Sequence, residues 1–291
     1  MISCIICSRR PDISAELKEN IASTIGCEYE LVVIDNSRNE YSIFSAYNEG
    51  VRRAKGDILC FMHEDIVYHS QDWGKLVERY FTQNTSAGLL GVAGSHMLSK
   101  IPAGWWETKC ISEHYIQGIK INGQYITTLE NQERYLIKGI PTKVCAVDGL
   151  WLCMPKSLFE VVSWDDINLS GFHGYDMDMS LQVWNAGYQV HILWDVLIEH
   201  CSLGNVNADF YATYEKIWEK WSRLLPMIKG IEMQEEELIL RTTLVEQQQT
   251  IRKHNAEIQR IYQSKPYRLG KLLLKPFAWI RRILNNRINE N

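Results

Sequence analysis

The chain has 291 residues, 46% of them hydrophobic and 23% charged, and a formal net charge of −4. That length holds one large domain or two ordinary ones, and the apolar share is ample for a core. The acidic balance gives no case for nucleic-acid binding by the whole chain. With no run of about 18 apolar residues, no transmembrane helix is expected. The eight cysteines mostly lie inside apolar runs, as buried thiols do in a reducing cytosol. Cys4 and Cys7 make a C-x-x-C, but on a strand they face opposite sides and do not readily share a metal.

Met1 to Cys7 has no basic leader or cleavage site and reads as a first strand. Ser8 to Asp12 is a polar turn in which Pro11 stops that strand. Ser14 can cap a helix over 15–24. Tyr29 to Ile34, rich in β-branched residues, is a second strand ending at Asp35-Asn36-Ser37. A helix over 42–55 carries Asn48 and Arg52. Gly56 then opens a third strand, whose apolar run Ile58 to Met62 ends in His63-Glu64-Asp65. A continuous apolar run of this kind is buried on both faces, so Glu64 and Asp65 belong where the strand emerges. Strand and helix alternating at this spacing give βαβ units and a parallel sheet with right-handed crossovers. Asp35 and Asp65 then both sit at carboxyl ends of strands, where open α/β sheets bind ligands. Carboxylate oxygens suit a hard divalent cation, and a nucleoside diphosphate binds through such a cation. Taken alone, the same acids suit the capping of a following helix equally well.

Further on, 72–83 reads as a helix and 89–94 as a strand. The pattern loosens over 95–143, where Trp105 and Trp106 stand among Gly and polar residues. Ile121-Asn122-Gly123-Gln124 is a hairpin signal. Residues 144–154, including Trp151, read as a kinked strand or a pair of strands, and 156–162 as a short helix. Gly171 to Leu181 leads into a helix whose first turn holds Asp176 and Asp178, where the helix dipole favours acids. Gly187 ends that helix. A strand over 188–198 is closed by Glu199-His200. The globular domain is expected over 1–226 and a helical extension over 227–291. Within the extension, 232–262 is a polar helix with a broken heptad of Leu240, Leu244, Ile251, Ile258 and Ile261, a route to a homo-oligomer. Residues 265–287 interleave basic and apolar side chains, as an amphipathic helix on an anionic membrane surface does. The alternative is a helix packed on the protein's own body.

The order Asp35-Asn36-Ser37, Asn48-Glu49-Gly50, Ala54-Lys55-Gly56-Asp57, His63-Glu64-Asp65, Gly174-Tyr175-Asp176-Met177-Asp178 and His200 resembles the family 2-like glycosyltransferases. More narrowly it is similar to the bacterial glycosyltransferase-like branch that makes surface polysaccharides. The resemblance covers about residues 1–205 and rests on the order of the motifs. It implies an α/β, GT-A fold, Rossmann-like, with a mostly parallel sheet flanked by helices and here a C-terminal helical extension. It implies that Asp35 contacts the nucleobase, that Asn48 and Arg52 line the nucleotide, and that Asp65 holds Mg2+ or Mn2+ with His200 completing the site. Glu64 falls on the nucleotide side. Asp176 is the catalytic base by position, and Asp178 matches a family acid of more structural role that could also face the acceptor. Trp105 and Trp151 could stack on an acceptor sugar, although aromatics at this density are more often core. His63 replaces the first acid of the family's triplet, and its role, like that of His173, stays open.

The implied function is metal-dependent, inverting transfer from a nucleotide sugar, by default a UDP-sugar. The acceptor would be a glycan or lipid-linked molecule reached from the cytoplasmic face of the cell membrane. Such transfer needs one carboxylate to take the acceptor proton and one cation to stabilise the leaving diphosphate. A nucleotidyltransferase of related fold is the rival enzyme, but Ser8-Arg9-Arg10-Pro11 lacks its Gly-rich phosphate loop. A non-catalytic nucleotide-sugar-binding scaffold is the third reading.

Overall fold

The structure is a computed structural model that describes residues 1–204 and 206–273. Strands β1 (Ile2–Ser8), β2 (Tyr29–Asp35) and β3 (Ile58–Met62) alternate with helices α1 (Ala15–Thr24) and α2 (Ile43–Arg53). Both helices start where the sequence places a capping serine. Ser14 Oγ accepts from the Leu17 amide, and Ser42 Oγ from the Ser45 amide. The three strands are parallel with β1 in the middle, and their register sets Ser8 beside Asp35 and Ile5 beside Phe61. Successive side chains of β1 face opposite layers. Ile5 packs with Phe44 and Tyr47 of α2, and Cys4 and Ile6 with Leu17 and Ile21 of α1. Cys4 and Cys7 therefore lie on opposite faces, and all eight cysteines are free.

The chain continues through β4 (Ile66–Tyr68), α3 (Trp73–Gln83), β5 (Ala87–Gly91), β6 (Ala93–Ser95) and β7 (Met97–Leu98). A long hairpin follows, β8 (Ile111–Ile121) and β9 (Gln124–Gln132). It turns at Asn122 and Gly123, whose φ of 50° and 84° are what a tight hairpin turn needs. Next come β10 (Thr142–Lys143), β11 (Ala146–Val147), β12 (Trp151–Pro155) and a 3-10 turn over Lys156–Glu160. The last elements are α4 (Tyr175–Asn185), β13 (Gln189–Ile192), β14 (Ile198–His200), α5 (Ala208–Lys220), β15 (Met227–Ile228) and α6 (Glu235–Gln263).

The main sheet has the order β10-β13-β5-β12-β3-β1-β2. It is parallel through β3, β1 and β2, but β12 runs antiparallel to both β3 and β5, so the sheet as a whole is mixed. The cause is local: the chain enters β12 by a tight turn at Asp148–Leu150 rather than by a crossover helix, so it arrives in the opposite direction. A second sheet, β11-β6-β8-β14-β4 with β9 beside β8, stands next to the turn after β3.

Four boundaries differ from the sequence reading. The strand expected over 188–198 is β13 and β14, one in each sheet, and the helix expected over 156–162 is a 3-10 turn. Helix α5 fills a stretch given no element. Asn207 caps it, and Phe210, Tyr214, Ile217 and Trp218 bury one helical face. The first compact unit extends to Thr242, past the boundary expected at 226, because β15 pairs with β7 and Arg241 donates to the Thr108 carbonyl. The second unit begins at Thr243. Residues 265–273 are helical there, with Leu269, Leu272 and Leu273 exposed, and the rest of the expected amphipathic stretch, 274–287, lies outside the described residues. Among the described residues no helix is long and apolar enough to cross a membrane.

Candidate active site

Three side chains converge where β3 emerges from the sheet. His63 directly follows β3, Asp65 precedes β4, and His200 ends β14. Strand β14 pairs antiparallel with β4, setting His200 opposite Ile66, and the Cys201 amide donates to the Asp65 carbonyl. His63 Nδ1 lies 3.3 Å from His200 Nε2. Asp65 Oδ1 lies 3.9 Å from His63 Nδ1 and 3.7 Å from His200 Nε2. The three ligand atoms all fall within 4.8 Å of one another. A divalent ion with bonds near 2.1 Å holds neighbouring donors about 3.0–3.4 Å apart, so small rotations would close this set on a cation. His63 and Asp65 keep 34% and 35% of their side-chain surface exposed, enough for an ion and its ligand to reach them. Burial alone would push the Asp65 carboxyl up, but the Ser202 hydroxyl and the two imidazoles hold it below the usual carboxylate range. His63 is pushed below the usual imidazole range, first by desolvation and then by His200.

The second half of the site begins with Tyr175, the first residue of α4. Its hydroxyl donates to the Gly149 carbonyl at 3.0 Å and lies 2.8 Å from His63 Nε2. Gly149 is needed at this close approach, since a Cβ there would stand 2.2 Å from the Tyr175 hydroxyl oxygen. The amide of the same Gly149 donates to Asp176 Oδ2 at 3.0 Å, and the Met177 amide donates to Asp176 Oδ1 at 2.8 Å. Asp176 is buried, and burial together with the nearby Asp148 carboxylate pushes its carboxyl up to about 7. Asp148 sits in the turn before β12, accepting from Trp105 Nε1 at 2.9 Å and from the Leu150 amide at 2.8 Å. Two acids thus bind amides only one residue apart. A buried carboxyl held near 7 has the proton affinity of a general base at neutral pH.

The remaining expected residues divide. Asp35 ends β2 at the same sheet edge, exposed, with Oδ1 accepting from the Ser37 amide; that turn, through the Ser37 hydroxyl and amide, lowers its carboxyl. Glu64 faces the end of β1, accepting from Ser8 Oγ at 2.6 Å and from the Arg9 amide at 3.2 Å. Asn48 and Arg52 are corrections. Helix α2 runs back from the carboxyl edge, so at 1.5 Å per residue Asn48 lies about 7 Å and Arg52 about 13 Å below its start. The Asn48 amide is spent on the Trp164 carbonyl at 2.7 Å, and Arg52 pairs with Glu49. Trp151 is a second correction: it is fully buried in β12, with its indole donating to the Tyr68 hydroxyl at 3.0 Å, so it has no face for a sugar. Trp105 is buried too, and its indole instead holds Asp148. Asp178 has no exposed side-chain surface and accepts from Trp221 Nε1 at 2.7 Å, Lys220 Nζ at 2.8 Å and Gln182 Nε2 at 2.8 Å, which removes it from the acceptor side. His173 stacks edge-on against Phe210. Sequence reasoning missed Tyr175 and Asp148. For Asp148 a signal was available, since it is the one acid interrupting the apolar run 144–154. Tyr175 gives none.

Comparison with known proteins agrees with this geometry. A family model described as "Glycosyltransferase like family" matches residues 1–221. No curated protein sequence matches the chain. The crystal structure of GalNAc-T7 with UDP, GalNAc and Mn2+ superposes with a TM-score of 0.50 at 13% identity, over 76% of this chain and 50% of that one. The chain thus spans half the length of that structure. The 1-349 portion of S. aureus TarS superposes at 0.48 with 13% identity, over 84% of this chain and 70% of that one. The mannosyltransferase PcManGT from Pyrobaculum calidifontis, in complex with GDP-Man and Mn2+, superposes at 0.44 with 11% identity, over 92% and 82%. At 13% identity the likeness to the GalNAc-T7 structure concerns the fold alone, the GT-A fold. With the family model covering the sheet, the His63–Asp65–His200 cluster and Asp176 alike, the chain belongs to the glycosyltransferase-like family.

Proposed function

We propose that this chain is a metal-dependent, inverting glycosyltransferase that moves a sugar from a nucleotide sugar to a glycan or lipid-linked acceptor of surface polysaccharide. The observation that carries the reading is the meeting of a His63–Asp65–His200 cluster with a buried carboxylate, Asp176, across Tyr175 and the backbone carbonyl and amide of Gly149. His63, Asp65 and His200 would hold Mn2+ or Mg2+, whose charge stabilises the departing nucleoside diphosphate. Asp35 supports the donor's orientation. It lies two strands from β3 at the same edge, about 10 Å away at ordinary strand spacing, a span that suits a nucleoside between base and diphosphate. Glu64 stands between them at the end of β1. Asp176 takes the proton from the acceptor hydroxyl as that oxygen attacks the anomeric carbon from the face opposite the diphosphate. The Gly149 and Met177 amides hold its two oxygens in place, leaving each a free lone pair for that proton. A single base and a single metal site fit one displacement with inversion, whereas glycoside hydrolysis uses two carboxyl groups flanking the bond.

A UDP-sugar is the default donor. The chain would work at the cytoplasmic face of the cell membrane, held there by basic residues of 265–287. The exposed Ile251, Ile258 and Ile261 of α6 support self-association through 232–262. Binding of a panel of nucleotide sugars to the purified protein with Mn2+, followed by transfer to water or glycan acceptors, tests the reading. Metal-dependent binding of one nucleotide class is the expected result, and binding of none would end the proposal.

A further inference from the structure

We infer that the free edge of β9 is where this chain meets a second copy of itself, the two β9 strands pairing antiparallel about a two-fold axis through Thr127. The inference goes beyond the proposed transfer reaction and does not depend on it.

Strand β9 joins the second sheet only through β8. The two-residue turn at Asn122 and Gly123 makes Ile121 and Gln124 the first hydrogen-bonded pair of the hairpin. Alternation then turns the N–H and C=O of Gln124, Ile126, Thr128, Glu130 and Gln132 toward β8, and those of Tyr125, Thr127, Leu129 and Asn131 outward. Strand β8 keeps the same alternation: His114, opposite Asn131, turns its amide away from β9 and donates to the Val92 carbonyl at 2.9 Å. Among the described residues no strand pairs with the outer edge of β9. That edge carries none of the protections an exposed strand needs. From Gln124 to Leu129 there is no charge and no proline, and the register with β8 runs without a bulge. Tyr125, Ile126 and Leu129 are 50%, 43% and 55% exposed. A long, uncharged, β-favouring edge of this kind is a template for another strand.

The sequence of β9 complements itself in one register. With Thr127 on the axis, Tyr125 falls opposite Leu129 of the partner subunit, Ile126 opposite Thr128 of the partner subunit, and Gln124 opposite Glu130 of the partner subunit. The outward-facing residues then meet one another, and each such pair exchanges two backbone hydrogen bonds. Aromatic–aliphatic and β-branched pairs are the cross-strand neighbours that stabilise a sheet, and no like charges meet. An axis at Thr128 sets Ile126 against the Glu130 carboxylate, and an axis at Ile126 leaves only 124–128 of the strand paired. A two-fold pairing of one edge with itself is closed, so it stops at two copies. A lipid surface fits the edge less well. Ile126 stands on the face opposite Tyr125 and Leu129, so no flat surface covers all three. Lipid would also leave the outward N–H and C=O row without partners, which a second strand supplies.

The test is hydrogen-exchange mass spectrometry on the full chain at its highest soluble concentration, read at peptides covering 124–130. In wild type the amides of Tyr125, Thr127 and Leu129 are expected to exchange about 10–100-fold more slowly than in Thr127→Lys, which sets two ammonium groups face to face on the axis. Thr127→Glu should lose the protection in the same way. Thr127 is exposed and turns its amide outward, so neither variant touches the β8–β9 ladder. An equimolar mixture of the two variants should regain the protection, because an ammonium then faces a carboxylate across the axis. The readout sits on β9, so association through α6 does not move it. Fast exchange at this edge in wild type would overturn the pairing. Protection that survives in both variants would overturn it too, since something other than a second β9 would then cover the edge. A mixture that stays unprotected would overturn the two-fold register. Slow exchange gained only on adding anionic vesicles would give the edge to a lipid surface and end the proposal.

Discussion

At the scale of single residues, Asp176 and Asp148 work as an unequal pair. Asp148 keeps two donors on its oxygens, while Asp176, more deeply buried beside it, holds its proton up to about pH 7. As the proposed base, Asp176 would act in its ionised form, so kcat/KM should rise as pH increases through about 7. Asp148→Asn removes the like charge and should move that limb to lower pH, a displacement a pH–rate profile would show; an unmoved limb would separate the two acids. The same raised pKa carries a stability consequence of opposite sign. Between the ordinary carboxylate range and pH 7 the folded chain binds a proton that the unfolded chain has released. That stabilisation is present at acid pH and lost as pH rises through about 7. Asp176→Asn, which cannot ionise, should therefore melt higher than wild type at pH 8, by thermal denaturation followed by circular dichroism, with the gap narrowing as pH falls and closing only below the ordinary carboxylate range.

Among the elements, α4 carries the proposed base and α5 holds α4. Asp178 ties the two helices through Lys220 and Trp221, with no solvent at its side chain. Phe210 and Tyr214 stack at 4.1 Å and Tyr214 and Trp218 at 5.6 Å along the same interface. Asp178→Ala leaves Lys220 paired with Asp165 but takes the acceptor from the Trp221 indole N–H, a loss that costs about 1–3 kcal/mol. Urea denaturation should show that drop. A change below about 1 kcal/mol would mean the interface is held by its aromatics alone. Much of this level was legible in the sequence. The apolar run of β3 and its closing acids placed Asp65 at a strand end, and the Gly174–Asp178 stretch placed Asp176 in a first helical turn. What stayed hidden depends on tertiary placement. Arg52 and Asn48 shared a helix with the right motif, but the direction of α2 carries them away from the carboxyl edge. Trp151 and Trp105 read alike in the sequence, as core or as a platform for a sugar, yet one fills the core and the other anchors an acid. His63 could not be interpreted until Tyr175, more than a hundred residues away in the chain, was brought to its Nε2.

For the whole molecule, the first compact unit ends at Thr242 and a second follows. Exposed Leu269, Leu272 and Leu273 alternate with Arg268 and Lys271, consistent with a surface-seeking helix. Deleting the residues after Tyr262 should abolish co-sedimentation with anionic liposomes and leave nucleotide binding intact; retained co-sedimentation would place any membrane contact elsewhere. The family order of motifs is legible in the amino-acid sequence alone, because its acids recur at strand ends. The mixed sheet is not, since nothing in residues 144–154 announces that β12 enters in reverse. The central claim joins a metal-bound nucleotide to one base, and one comparison tests it most directly. Wild type and Asp176→Asn are measured side by side for UDP binding with Mn2+ and for sugar transfer. Equal Mn2+-dependent UDP binding is expected, with transfer reduced about 10²–10⁴-fold in the variant; transfer at the wild-type rate would contradict the claim.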